Sequence, residues 1–183
     1  MRNAKVILKD VRISFPELFV KRRFDPDNTA TKAVYSAVFM VEKESDQHKQ
    51  IVNAINALLK ENNKGKGLPE DKLALKDGDM TDREEYHDHM IIRANNANKI
   101  TVVDRSRKPI TEEDGVIYSG CYVNGIIELY WQDHPKWGKR INASLLGVQY
   151  VKDGDPFGGS PSAKIDDFVD FGDEEEEEFD VLS

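Results

Sequence analysis

Ala4-Lys5-Val6-Ile7-Leu8-Lys9-Asp10-Val11-Arg12-Ile13-Ser14-Phe15 is the stretch on which the fold turns. Val6 and Leu8 share one face of an extended chain, while Val11, Ile13 and Phe15 share the other. The apolar phase flips near Lys9-Asp10. Period-2 alternation flips only through a bulge or a strand that changes sheets. A long, bent first strand serves both halves of the wall of a small closed barrel, and Pro16 is expected to end it.

Working outward, residues 34–41 (VYSAVFMV) are β-branched and aromatic enough for a buried strand. Over residues 46–62 the period changes: Ile51, Ile55, Leu58 and Leu59 recur at helical spacing, Ser45 or Asp46 caps the start, and residues 62–67 end the helix. Residues 63–88 are polar and rich in glycine, and read as one long connection. Short strands are expected at 90–93 and 100–103, with another starting at 116–118. Residues 121–131 (CYVNGIIELYW) form the strongest strand in the chain, with Val123, Gly125, Ile127, Leu129 and Trp131 on one face. After a turn at 133–138, residues 139–151 form the last strand. Five or six strands with one helix predict a mainly β, OB-fold-like small barrel.

The chain has 183 residues, 39% hydrophobic and 33% charged. No apolar run reaches the roughly 20 residues of a membrane span, and the N-terminus lacks the pattern of a signal peptide. A single cysteine, Cys121, excludes an intramolecular disulfide and fits a reducing cytosol. It reads as a small core residue. Charge is segregated. Residues 1–150 carry 24 Lys+Arg against 22 Asp+Glu, and residues 151–183 carry 2 against 12, so a body of +2 is joined to a segment of −10. The change of composition after Tyr150, dense in Gly, Pro, Ser and Asp, divides a folded domain, 1–152, from an expected disordered acidic tail, 153–183.

Phosphate-binding loops, zinc spacings and nucleophile–base pairs are missing from the sequence. The reading is therefore no enzyme, no cofactor and no metal. Glu84-Glu85-Tyr86-His87-Asp88-His89 is the one run whose residue types could hold a divalent ion. It supports a minor alternative, a metal-dependent nuclease using Glu85, His87 and His89. A second alternative is an acidic-tailed DNA mimic or interaction protein.

The chemistry that does recur is cationic and aromatic. Lys21, Arg22 and Arg23 form one group, near Tyr35. Arg105, Arg107 and Lys108 form a second, with Arg93 and Lys99 nearby. Lys136, Lys139 and Arg140 form a third, beside Trp131 and Trp137, with Tyr122 and Tyr130 on the preceding strand. Single-stranded nucleic acid is held by this combination, because cations track phosphates and aromatic faces stack on any base. In the tail, Phe168, Phe171 and Phe179 sit beside acids, with Glu174, Glu175, Glu176, Glu177, Glu178 and Asp180 forming most of the charge. Such a tail could enter the DNA groove as a mimic, or dock a basic, hydrophobic pocket on a partner.

Four segments carry a resemblance: Val11-Arg12-Ile13-Ser14-Phe15-Pro16-Glu17-Leu18-Phe19, Val102-Val103-Asp104-Arg105-Ser106-Arg107-Lys108-Pro109-Ile110, Tyr118-Ser119-Gly120-Cys121-Tyr122-Val123-Asn124, and the run from Gly147 through Asp155-Pro156-Phe157-Gly158-Gly159. In order, and across nearly the whole chain, these resemble bacteriophage single-stranded-DNA-binding proteins related to the T7 type. The resemblance implies an OB-fold and sequence-independent binding of single-stranded DNA in replication or recombination. It also implies an acidic tail that regulates access and contacts phage or host replication and recombination proteins, in the cytoplasm of the bacterial host. Homo-oligomerisation is left open. Many relatives stop at an acid–Phe terminus, whereas here Asp180-Val181-Leu182-Ser183 follows Phe179.

Overall fold

The first strand bends twice and, in doing so, sets the barrel. In the computed structural model, which describes residues 3–23, 25, 27–28, 31–157 and 168–172, β1 (Ala4–Arg22) pairs with β6 (Tyr122–His134) along its first half and with β2 (Val34–Glu42) along its second. Leu8 faces Gly125 and Val11 faces Val123, so β1 carries one extra residue between them. Asp10 absorbs it at φ 54, and its N–H donates to Asn124 Oδ1 at 2.9 Å. This bulge is the physical meaning of the phase flip. By resetting the alternation it lets Val6, Leu8, Val11 and Ile13 all enter one core.

A second bulge corrects two expectations. Ser14 pairs with Val38 and Glu17 with Ser36, leaving an extra residue at Phe15-Pro16. Proline has no ladder N–H to give, and a bulge asks for none, so β1 runs through Pro16 to Arg22. Phe15, at φ 48, is turned out and 43% exposed rather than packed with Val11 and Ile13.

β4 (His89–Asn96) pairs antiparallel with β2, and β7 (Gly138–Lys152) with β6. One parallel contact, Asn95 against Ser144, joins β4 to β7, and Asn96 Nδ2 donates to the Leu145 carbonyl at 2.9 Å beside it. The ring β1-β2-β4-β7-β6 thereby closes as a five-stranded, OB-fold-like barrel. β3 (Leu75–Asp77) and β5 (Thr101–Val103) extend it as short outer strands. β3 lies inside the stretch read as a connection; three residues give no periodic signal, and it exists because Leu75 and Lys76 pair with Ile92 and Ile91. Residues 116–118 do not form the strand expected there.

α1 (Asp46–Asn62) forms where its period requires, with Ser45 Oγ accepting from the His48 N–H. Ile51, Ile55, Leu58 and Leu59 are buried against β1, β6 and β2. Cys121 is fully buried, and burial pushes its thiol pKa up. Gly125 is required: a Cβ there would lie 2.6 Å from the Phe39 ring in the barrel interior. Among the described residues no helix is long and apolar enough to cross a membrane.

Candidate nucleic-acid interface

Strand register assembles the candidate surface. In β2, Ala37, Phe39 and Val41 fill the barrel, so Val38 and Met40 face outward. The same parity turns Ile91 and Arg93 of β4 outward and Ile92 and Ala94 inward. Following Cα partners around the barrel, one outward row reads Lys152, Tyr122, Arg12, Met40, Ile91, Lys76. The adjoining row brings Ser14, Val38 and Arg93 together.

Beside these rows lies a cleft of about 390 Å³, lined among others by Phe15, Lys76, Arg83, Tyr86 and Arg93. Its floor is apolar: Val38, Met40 and Tyr86 form a small buried cluster with Ile91. Tyr86 Oη donates to the buried Ser14 Oγ at 2.8 Å, and burial pushes the phenol pKa up, against that hydrogen bond. The tyrosine therefore stays neutral and pins residues 84–86 against the wall. That fixes Arg83, whose guanidinium lies 4.3 Å from the centroid of the exposed Phe15 ring. Arg83 also reaches Glu85, at 3.4 Å. A ring, three cations and an apolar floor on the outer face of the second and third barrel strands are the parts a base-stacking, phosphate-tracking site requires.

At one edge, cations and rings alternate. Lys152 Nζ lies 4.7 Å from the Tyr122 ring, and Arg12 lies 5.5 Å from Tyr122 and 4.0 Å from Phe157. Arg12 also donates to the carbonyls of Gly120, at 3.0 Å, and Asp155, at 2.6 Å. Phe157 is held there because residues 153–157 fold back after β7. Tyr118 Oη donates to the Gly154 carbonyl at 2.8 Å, and the Phe157 N–H to the Ser119 carbonyl at 3.0 Å. Gly120, at φ 112, leaves room for this strap, since a Cβ would overlap the Asp155 carbonyl.

The residues singled out from the sequence are distributed as follows. Arg93 and Tyr122 belong to the wall just described. Lys21, Arg22 and Arg23 sit at the far end of β1. There Lys21 Nζ lies 5.8 Å from the Tyr35 ring, Arg22 Nε is 2.6 Å from Glu17 Oε2, and Arg23 Nε donates to the Thr31 carbonyl at 2.9 Å. Tyr35 and Lys99 line a second cleft of about 830 Å³ at the barrel mouth, which Glu112 and Glu113 make partly acidic. Arg105, Arg107 and Lys108 occupy a turn held by Asp104, whose Oδ1 accepts from the N–H groups of Ser106 and Lys108.

Trp131 packs on the core, and Tyr130 is half-buried one residue before it. Lys136 and Trp137 form the exposed β6–β7 turn, with Lys136 Nζ 4.8 Å from the Trp137 ring, which is 55% exposed. Lys139 and Arg140 tie that hairpin to Asn63 and to the Asp71 carbonyl, at 3.2 and 3.1 Å. Phe168 and Phe171 are exposed. Glu174, Glu175, Glu176, Glu177, Glu178, Phe179 and Asp180 lie outside the described residues.

Phe15, Lys76, Arg83, Arg12, Lys152 and Phe157 were not singled out in the sequence. The phase break at Phe15-Pro16 was the available signal for the first. The run from Glu84 to His89 does not converge as ligands: Glu85 turns to Arg83, His89 Nδ1 lies 2.9 Å from the His87 carbonyl oxygen, and among the described residues no three such side chains gather.

Known proteins resemble the chain along nearly its full length. The family model described as the Enterobacter phage Enc34 ssDNA-binding protein matches residues 4–181. The putative protein p50 of Acyrthosiphon pisum secondary endosymbiont phage 1 is 34% identical over 186 residues, covering 95% of this chain and 97% of that protein. The single-stranded DNA-binding protein from bacteriophage Enc34, solved in complex with ssDNA, is 28% identical with a TM-score of 0.74, over 85% of this chain and 90% of its own. The fold alone is shared with gp2.5, the single-stranded DNA-binding protein of bacteriophage T7, at 14% identity and a TM-score of 0.55, over 93% and 98% of the two chains. The solved relatives are DNA-binding proteins, not enzymes. The chain thus belongs to the phage single-stranded-DNA-binding protein family of Enc34.

Proposed function

We propose that this protein coats single-stranded DNA without sequence preference during phage replication or recombination, in the cytoplasm of the bacterial host. The observation that carries the reading is the Phe15–Arg83 pair on the outer barrel wall, flanked by Arg93 and Lys76, in a chain of this family. Rings accept any base, and cations follow the backbone, so one wall serves every sequence. The tail, with its −10 charge, regulates access to that wall and recruits replication or recombination proteins.

Titration of the full chain with fluorescent oligo-dT, and with a duplex of equal length, tests it. Affinity for oligo-dT should fall linearly on a log–log plot against salt, by about 0.7 per phosphate neutralised. A DNA mimic would leave oligo-dT unbound at every salt concentration. Preference for the duplex would also overturn the reading.

A further inference from the structure

A second groove lies on the other side of β1, where β6, β7 and β5 form the wall. It encloses about 480 Å³ and shares no lining residue with the Phe15 cleft. Ile7, Ile126 and Leu146 supply its apolar surface, and Ile7 is 46% exposed. Lys5, Lys9 and Arg107 stand at its edge, and none of the three forms an ion pair among the described residues. Unpaired cations around aliphatic side chains do not suit a nucleobase, because no ring lines the groove to stack on it. They suit a peptide with acids next to apolar residues.

The chain itself contains such a peptide. Residues 174–178 are all glutamate, and Phe179-Asp180-Val181-Leu182 follows. We propose that the groove of Lys5, Ile7, Lys9, Arg107, Ile126 and Leu146 is the docking site of this chain's own C-terminal segment, residues 174–182. Phe179, Val181 and Leu182 cover the aliphatic surface, and the glutamates meet the three cations. Residues 158–173 separate this segment from Phe157; fully extended they span up to about 55 Å. A domain of this size has a radius of gyration of about 15 Å, so the groove is within reach. Tethering raises the local concentration of the segment into the millimolar range for a short linker, which favours its own groove over a neighbour's. Docking there holds the acids away from the Phe15 wall. It therefore deepens the regulatory role proposed for the tail, while the groove itself does not depend on the DNA-binding reading.

The test uses the full chain, with methyl NMR of isoleucine and leucine. Phe179→Ser and Leu182→Ser should each shift the methyl signals of Ile7, Ile126 and Leu146, and leave Ile91, on the DNA wall, in place. High salt should move the parent signals the same way, as screening weakens the glutamate contacts. If Ile91 moves and Ile7 does not, the segment sits on the DNA wall and the proposal fails. If no methyl moves, the segment docks nowhere on this chain, and the proposal fails equally. Shifts that disappear on dilution would assign the groove to a second copy's tail, and would overturn docking within one chain. Oligo-dT affinity measured on the same samples reports the DNA-binding reading separately.

Discussion

Phe15→Ala removes the exposed ring that the second β1 bulge presents to the cleft. One face of that ring already carries the Arg83 guanidinium, at 4.3 Å. A single face therefore remains for a base, which places the stacking loss near the bottom of the range of about 1–3 kcal/mol per base. Arg83 also loses the platform that orients it, worth about 0.5–1 kcal/mol at an exposed site. Together these predict a loss of about 1.5–2 kcal/mol, or roughly 10- to 30-fold in affinity. Folding should be nearly indifferent. The ring is 43% exposed, and Ala and Phe share the same penalty for the left-handed backbone at φ 48. Fluorescence anisotropy with oligo-dT, over a range of salt, is the assay. No charge is removed, so the salt slope should stay that of the parent protein. Arg83→Ala should instead flatten the slope, by up to about 0.7 for one phosphate contact. A folded Phe15→Ala protein that binds within twofold of the parent refutes the stacking argument. A matching change of slope in both variants would reduce the ring to a support for Arg83.

Two further outcomes follow from the structure. Trp137 is exposed while Trp131 packs on the core, so if strands reach the β6–β7 turn, Trp137→Phe should abolish fluorescence quenching by oligo-dT; retained quenching would exclude Trp137 as the reporter. Lys43 bonds to both Asp77 and Asp79, and these hydrogen bonds are the main reason both carboxyl pKa values are lowered. Their contribution to stability is present above the unfolded carboxylate pKa of about 3.9, and is lost as pH falls through the lower folded values. Lys43→Met should therefore move the acid-unfolding midpoint to higher pH, as read by circular dichroism, and an unchanged midpoint would contradict it.

Local patterns made much of the barrel legible. The helical period of Ile51, Ile55, Leu58 and Leu59, the alternation through residues 121–131 and the flip at Lys9-Asp10 are each written within a few neighbouring residues, and each corresponds to an observed feature. Pro16 misled because its effect depends on whether the partner strand needs its N–H, and at a bulge it does not. The short β3 was invisible because pairing with β4, not its own sequence, makes it a strand. The wall was only partly legible, for a related reason. Cations were grouped by proximity along the chain, whereas register brings Arg12 to Phe157 and Arg83 to Phe15 from distant segments. Arg93 and Tyr122 stood out because strand alternation alone marks them as turned away from the core.

The parallel contact between β4 and β7 has a mechanical consequence. Every other junction in the ring is a ladder of several residue pairs, but this one is a single pair, Asn95 with Ser144, reinforced by the Asn96 side chain. It also joins the segments of the ring that come together only after the β6–β7 hairpin has formed. The barrel is in effect a curled sheet fastened by a clasp. Closure entropy for the intervening chain opposes the clasp, and few hydrogen bonds hold it, so it is the natural place for the cylinder to breathe. Arg93 stands two residues before it on β4. Small openings there would widen or narrow the wall beside the cleft while the core under Phe39 stays intact, allowing one rigid protein to follow the uneven contour of a strand whose bases differ in size.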